Sequence, residues 1–362
     1  MLRIPGPTPC PEQVLRALSR QMINHRGDEF KEILLRVTQR LKEFFQTKGD
    51  MLILTSSGTG GLEAAVVNTL SPGEKVLGIC GGVFGERFAS IAERFGADVR
   101  RLNFPWGQPA DPEAIAQALD SDPGIKAVLV THNETSTGLT NDLASIAKVV
   151  KERGKLLLVD AISSLGCIEL QSDAWGCDVV VTGSQKGWMV PPGLAFVSLS
   201  QEAWEANRKA QMPRFYWDFS VAKKYLEIGQ TPWTPAISVF YALDVSLDLI
   251  AQEGLQNVFA RHARVGRKAR EGVKELGLQL FAEESHASNT VTAVNLPGGI
   301  DGRELLRKMR EEHGVVLAGG QQELAGKIFR IGHLGWVQEG DIEKVLEKLR
   351  LVLTELGFTS RE

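Results

Sequence analysis

Residues 156–196 read LLLVDAISSLGCIELQSDAWGCDVVVTGSQKGWMVPPGLAF. Two short apolar runs, Leu156–Val159 and Val179–Val181, show no polar alternation, as strands buried on both faces of a parallel sheet do. The first ends on Asp160, and the second runs into Ser184, Gln185 and Lys186. In an open parallel sheet ligands bind beyond the carboxyl ends of the strands. Asp160 and Lys186, 26 positions apart, are therefore expected at one crevice. Pro191 and Pro192 suit a rigid loop after the lysine. Taken singly, each residue is ordinary: many strands end in aspartate, and most lysines after a strand are solvated. Paired at the end of one sheet, a lysine that can bond an aldehyde and an acid that can keep a ring nitrogen protonated fit a pyridoxal phosphate site.

Upstream, Met51–Thr55 reads as a strand, Ser56-Ser57-Gly58-Thr59-Gly60-Gly61 as a small-residue turn, and Leu62–Leu70 as a helix. This order offers free backbone N–H groups and the positive end of a helix dipole to a phosphate, with the Ser57 and Thr59 hydroxyls as further donors. Gly58-Thr59-Gly60-Gly61 partly imitates a dinucleotide fingerprint, but its spacing is G-x-G-G. The next strand, Lys75–Cys80, ends without the acidic residue that would hold a ribose. After Gly81-Gly82-Val83 comes Phe84, an aromatic that can lie on a flat ring or simply fill the core. A helix is expected from near Glu86.

Strands at Asp98–Leu102 and Lys126–Thr131 alternate with helices at Pro112–Leu119 and Leu143–Glu152. That alternation predicts an α/β fold with a mostly parallel sheet covered on both faces. Residues 5–11 carry four prolines and read as an extended arm before a helix from Glu12 to Gln21. A second helix, Asp28–Thr47, has an apolar stripe of Phe30, Ile33, Leu34, Val37, Leu41 and Phe44. His25 and Arg26 lie between these helices, either in a solvated turn or at the rim of the site. Residues 201–230 are aromatic without a clean period, and 236–277 are helical with a break near Gly254. The remainder reads as small α+β, with strands near Thr290–Leu296, Val315–Leu317 and Lys327–Ile331. Three units are expected: an arm and helix over 1–20, a large cofactor-binding domain over 21–250 and a small C-terminal domain over 251–362.

A chain of 362 residues exceeds one ordinary core. Its 43% hydrophobic and 23% charged residues are those of a globular protein, and a net charge of −3 argues against a nucleic-acid surface. No apolar run approaches the ~20 residues of a membrane span, and the first residues lack the apolar centre of a secretory signal. Four cysteines without C-x-x-C spacing read as reduced thiols of a cytoplasmic protein, and six scattered histidines predict no metal site.

The ordered set P-G-P-T-P at 5–9, S-G-T at 57–59, T-H-N-E-T-S-T-G at 131–138, L-L-V-D at 157–160, G-S-Q-K-G at 183–187 and F-R-I-G-H-L-G at 329–335 resembles the class V aminotransferases of fold type I, specifically their alanine/serine–glyoxylate branch. The resemblance spans nearly the whole chain. It implies a large domain with a seven-stranded, mostly parallel sheet, a small C-terminal α+β domain, and pyridoxal 5′-phosphate as cofactor. It implies Lys186 as the Schiff-base lysine and Asp160 as partner of the ring nitrogen. Ser57, Gly58, Thr59 and Gln185 match phosphate-binding positions, Phe84 the stacking aromatic, and Thr135 the contact to the ring hydroxyl. Arg330 matches the clamp on the substrate α-carboxylate, and Gly6 the point where the arm lines the pocket. Gln230, Thr231 and Thr234 match a turn that completes the phosphate site of a neighbouring subunit, which implies a homodimer.

The implied reaction moves an amino group from alanine or serine to glyoxylate or pyruvate. Alternatives on the same scaffold are an aspartate or ureidoglycine aminotransferase. A cysteine desulfurase would need a nucleophilic thiol late in the chain, and no cysteine follows Cys177. Some relatives have been described as a structural subunit of a soluble hydrogenase. A dinucleotide oxidoreductase rests on residues 58–61 alone. The quoted motifs hold one arginine, Arg330, with Arg26 and Arg3 as the candidates for a second. Short donors are therefore expected, because a dicarboxylic one would bring an unpaired charge into the pocket.

Overall fold

Residues 1–358 are described by the computed structural model. The apolar runs become strands in chain order: β1 (Asp50–Ser56), β2 (Lys75–Cys80), β3 (Asp98–Asn103), β4 (Ala127–Thr131), β5 (Asn133–Glu134), β6 (Leu139–Thr140), β7 (Leu156–Asp160), β8 (Val179–Gly183), β9 (Gly193–Leu199), β10 (Val291–Asn295), β11 (Ala318–Gly319) and β12 (Ile328–Gly332). Seven of them form one sheet in the order β1-β9-β8-β7-β4-β2-β3. β9 runs against both of its neighbours, and the other six share one direction. Every residue of β4 and β8 is buried. Branched side chains without alternation are what a sheet covered on both faces requires. The edge strand β3 instead carries Asp98, Arg100 and Arg101, which blunt it against pairing with another chain.

The stripe on helix Asp28–Phe45 is buried as its period predicts, with Phe30 edge-on to Phe240 at 5.2 Å. On the same face Trp188 is fully buried among Phe44, Phe45 and Phe196. Its indole N–H reaches the Thr182 hydroxyl at 3.3 Å, and its carbonyl accepts from Ser246. This packing immobilises the chain two residues past Lys186. A second sheet, β10-β12-β11, is antiparallel throughout. It packs with helices Leu255–Glu275 and Glu339–Glu355 around a separate apolar core that includes Val265, Phe329 and Leu349. Gly254, at φ +83°, makes the joint between helices Ile237–Glu253 and Leu255–Glu275. No helix among the described residues is long and apolar enough to cross a membrane.

Several boundaries differ from the sequence expectation. The first helix stops at Ala17, where Ser19 turns its hydroxyl back to the Arg16 carbonyl and competes with the helical bond. The helix expected at Leu62 starts at Gly58, because Ser57 already holds an extended cap conformation. The helix expected near Glu86 starts at Val83 and puts Phe84 in its first turn. The strand expected at Val315–Leu317 pairs at Ala318–Gly319, while Val316 bridges to Leu2 of the arm. Within 201–230 two short helices form, Gln201–Asn207 and Phe219–Glu227.

Candidate active site

A cavity of about 130 Å³ opens where the co-directional strands end. Ser57, Gly58 and Thr59 reach it after β1, and Phe84 and Arg87 after β2. Asn133 and Thr135 follow β4, Asp160 and Ser163 come from the end of β7, and Gln185 and Lys186 follow β8. Eight of the residues singled out in the sequence thus line one space. Ligand sites at the carboxyl ends of parallel strands follow from this topology.

Lys186 rides on the turn between the antiparallel pair β8 and β9. Ser184 holds that turn closed: its N–H donates to the Leu194 carbonyl at 2.9 Å, and its hydroxyl donates to Pro191 O at 2.7 Å. Burial pushes the Lys186 amine down to about 8, Asp160 opposes that shift, and Arg330 and Arg87 add to it. Asp160 is 3% exposed and accepts the Ile162 N–H at 2.9 Å. Burial raises its carboxyl to about 7, with Lys186 and Arg87 pulling the other way. A lysine that loses its proton readily therefore faces the same cavity as an acid that gains from a cationic partner.

The arm crosses this lysine. Thr8 N–H donates to Gln185 O at 3.1 Å, the Thr8 hydroxyl donates to Lys186 O at 3.1 Å, and the Lys186 amine donates to Pro5 O. Farther out, Arg3 is buried, pairs with Asp341 of helix Glu339–Glu355 at 2.6 Å, and accepts the Gly332 N–H of the second sheet at its carbonyl at 2.7 Å. Gly6 lies between, at φ +130°, and a Cβ there would sit 2.4 Å from Lys186 Nζ. The amine can swing aside, but the backbone conformation cannot accept a side chain without strain. Gly6→Ala is expected to destabilise the protein by about 1–3 kcal/mol, read as a lower melting temperature; an unchanged melt would show that the arm does not need this conformation.

Arg330, on β12, adjoins the cavity through Thr135. Its Nη1 donates to Thr135 O at 3.1 Å and to Gln321 Oε1 at 3.2 Å, and Nε and Nη2 donate to Gly319 O at 3.0 and 2.8 Å. These acceptors are all neutral, so the guanidinium is oriented but keeps its charge for an anion. Burial lowers its pKa to about 10, which leaves it cationic at neutral pH. Thr135 donates to Ser163 Oγ at 2.6 Å, and Asn133 Nδ2 reaches the same hydroxyl at 2.8 Å.

Two site residues escaped the sequence reading as individuals. Glu134, 2% exposed, accepts N–H bonds from Phe84 at 3.1 Å and Gly85 at 3.0 Å and also bonds Ser136. It caps the helix that carries Phe84, an anion at a positive helix end. Burial raises its carboxyl, and these donors oppose the shift. Arg87 lies one turn beyond Phe84, with its guanidinium carbon 4.8 Å from that ring's centroid. Arg87, outside the quoted motifs, is thus a second arginine at the cavity, where Arg26 and Arg3 were the expected candidates. Arg26 is not that residue: it donates to Gln230 Oε1 at 2.9 Å, Thr231 O at 2.7 Å and Pro232 O at 3.1 Å, away from the cavity. Gln230, Thr231 and Thr234 do not line the cavity of their own chain.

The residues present fit pyridoxal phosphate. The Ser57 hydroxyl makes no capping bond to its helix. The N–H groups of Gly58, Thr59 and Gly60 have no acceptor among the described residues. Gln185 lines the same space, where its amide nitrogen, a donor, rather than its buried unpartnered oxygen suits a phosphate. Together they form an anion cradle at a helix N-terminus, opposite a lysine and an acid suited to the aldehyde and the ring nitrogen.

Comparison with known proteins agrees with this chemistry. The family model for class V aminotransferases matches residues 2–332. The chain is 45% identical to a protein named soluble hydrogenase, small subunit, from Synechococcus sp., over 99% of this chain and 94% of that protein. It is 37% identical to the L-aspartate–glyoxylate aminotransferase of Paracoccus denitrificans, over 98% of this chain and 91% of the relative. The crystal structure of alanine–glyoxylate aminotransferase from Nostoc sp. superposes with a TM-score of 0.94 at 33% identity, covering 97% of this chain and 94% of that one. With a matching model over most of its length, and a lysine, an acid and an anion cradle converging on one cavity, the chain belongs to the class V aminotransferases, which work with pyridoxal phosphate.

Proposed function

We propose that this aminotransferase takes the amino group of a short amino acid, alanine or serine, and delivers it to a 2-oxo acid such as glyoxylate or pyruvate, acting in the cytoplasm as a homodimer. The observation that carries the reading is the convergence of Lys186 and Asp160 on a cavity whose far wall is the free anion cradle at 57–59. Pyridoxal phosphate, when bound, supplies a conjugated ring that accepts negative charge developing at the substrate Cα. Ser57, Gly58, Thr59 and Gln185 would hold its phosphate, Asp160 its ring nitrogen, Thr135 its ring hydroxyl and Phe84 its face, and Lys186 would bond its aldehyde carbon. Arg330 orients the substrate carboxylate, and a bidentate grip through both Nη atoms displaces Gln321 from Nη1. Lys186 Nζ, once the incoming amine has taken its place, would take the proton from the substrate Cα; its lowered pKa of about 8 leaves a useful fraction neutral at physiological pH. Gly6 leaves the room in which that amine moves.

The test is a screen of alanine, serine and aspartate against glyoxylate, pyruvate and 2-oxoglutarate. Amino transfer from alanine or serine to glyoxylate is the expected result; a yellow protein that transfers to no acceptor would favour a structural role of the kind named for the hydrogenase relatives. The intact set of Lys186, Asp160 and Arg330 favours the enzyme.

Homodimerisation is supported by a stacked aromatic face. Phe215, 77% exposed, and Tyr216 lie against Trp233 at 4.9 and 5.8 Å, beside the turn that Arg26 holds. Gln230, Thr231 and Thr234 on that turn would serve the partner's phosphate. Sedimentation is expected to give a dimer, and a fully active monomer would refute it.

A pH dependence follows from the depressed lysine. Only the neutral amine captures an aldehyde, so capture of pyridoxal phosphate by cofactor-free protein should quicken about tenfold per pH unit below about 8 and level off above it. Stopped-flow absorbance checks this; a rate still climbing well above pH 8 would mean that the amine keeps its ordinary pKa.

A further inference from the structure

We propose that Arg87 binds the distal carboxylate of a dicarboxylic amino donor or 2-oxo acid, so that the site accepts four-carbon diacids besides the short substrates; this rests on the aminotransferase reading above. Arg87 is exposed and lines the cavity, on the same helix face as Phe84. Its guanidinium lies 4.8 Å from the Phe84 ring centroid. Stacking of this kind fixes the plane of the guanidinium while leaving its N–H edge free. No hydrogen bond or ion pair among the described residues takes that edge.

The acids nearby are committed elsewhere. On Arg87's own helix, Glu86 and Glu93 both pair with Arg101, at 3.2 and 3.0 Å. Glu134 spends its oxygens on the helix N-terminus and Ser136. Asp160 feels the charge of Arg87 but makes no ion pair with it; on the proposed assignment it would serve the ring nitrogen. Arg330 is anchored separately, by Gly319 and Thr135, so each guanidinium can take its own anion. A monocarboxylic donor leaves Arg87 to water. A diacid supplies the carboxylate whose geometry matches the free fork, which removes the physical objection to dicarboxylic substrates.

The shared chemistry is anion recognition, and the cofactor phosphate is the other possible source of the anion. The experiment compares wild-type holoenzyme with Arg87→Gln and Arg87→Lys. It measures kcat/KM for aspartate and for alanine with glyoxylate, succinate and propionate binding by calorimetry, and cofactor retention by absorbance. The ratio of aspartate to alanine efficiency should fall about 30-fold in Arg87→Gln. Succinate affinity should fall in parallel while propionate affinity and cofactor retention hold, and Arg87→Lys should recover part of the ratio. An unchanged ratio overturns the proposal. So does an equal loss for both donors with weakened cofactor retention, which would assign Arg87 to the phosphate. If wild-type protein transfers no amino group at all, the functional reading fails on its own, and the succinate titration still decides the role of Arg87.

Discussion

Lys186→Ala is expected to abolish both the visible absorbance of the loaded protein and its amino transfer, with turnover reduced by about 10⁴-fold or more. Lys186 is the one lysine among the residues lining the cavity, so no neighbour can replace its amine. It would serve twice, as the group bonded to the cofactor aldehyde and as the base at the substrate Cα, and the two losses compound. The fold should survive. Removing a cation that is costly to desolvate offsets the loss of its bond to Pro5 O, a contact worth about 1 kcal/mol. Lys186→Arg separates charge from chemistry. It restores a cation but cannot shed a proton at any accessible pH, so it should be equally inactive. Turnover in either variant near the wild-type level would end the assignment of Lys186.

Arg330→Ala is expected to lower kcat/KM for every donor by about 2–4 kcal/mol equivalent, roughly 30- to 1000-fold, the scale of losing one side of a desolvated charge pair. Its bonds to the Gly319 and Thr135 carbonyls also hold β12 beside β11 and the turn between β5 and β6. The truncation would therefore leave buried acceptors unpaired as well. Arg330→Lys resolves the ambiguity, because an ammonium can restore charge and one carbonyl contact but not a two-point grip. It should melt close to wild type while remaining well below it in kcat/KM, with an unchanged cofactor spectrum. Alanine kcat/KM within a few-fold of wild type in both variants would place the carboxylate elsewhere.

What was legible in the sequence was what local chemistry determines. Branched runs such as Val179–Val181 can be little else than buried strands, and their ends placed Asp160 and Lys186 correctly at one crevice. The small-residue turn at 57–61 likewise announced its free N–H groups. The strand β9 was not legible: Pro191 and Pro192 read as loop, and its antiparallel place depends on pairing with β8 and with β1, the latter far away in sequence. Glu134 was hidden inside a motif because its acceptor role depends on a helix end from another part of the chain. Arg87 was missed through a boundary error. With the helix started at Glu86, Phe84 and Arg87 share no face. Started at Val83, they are three apart on one helix, and that spacing is the signal that could have found Arg87.

The reversal at β9 has a consequence for how the site comes into being. The turn bearing Lys186 closes between neighbours in the chain, Gly183 opposite Ala195, while the phosphate cradle follows β1, whose partner register sets Asp50 against Leu199. Closing so long a loop is entropically costly and slow compared with a hairpin. The lysine's turn can therefore be in place while its phosphate cradle is still unassembled. On the proposed assignment pyridoxal phosphate would lack its phosphate contacts until that most distant strand docks, and afterwards its binding draws the docked form forward by mass action. Colour that survives removal of free cofactor during refolding should thus time the closure of the sheet's edge.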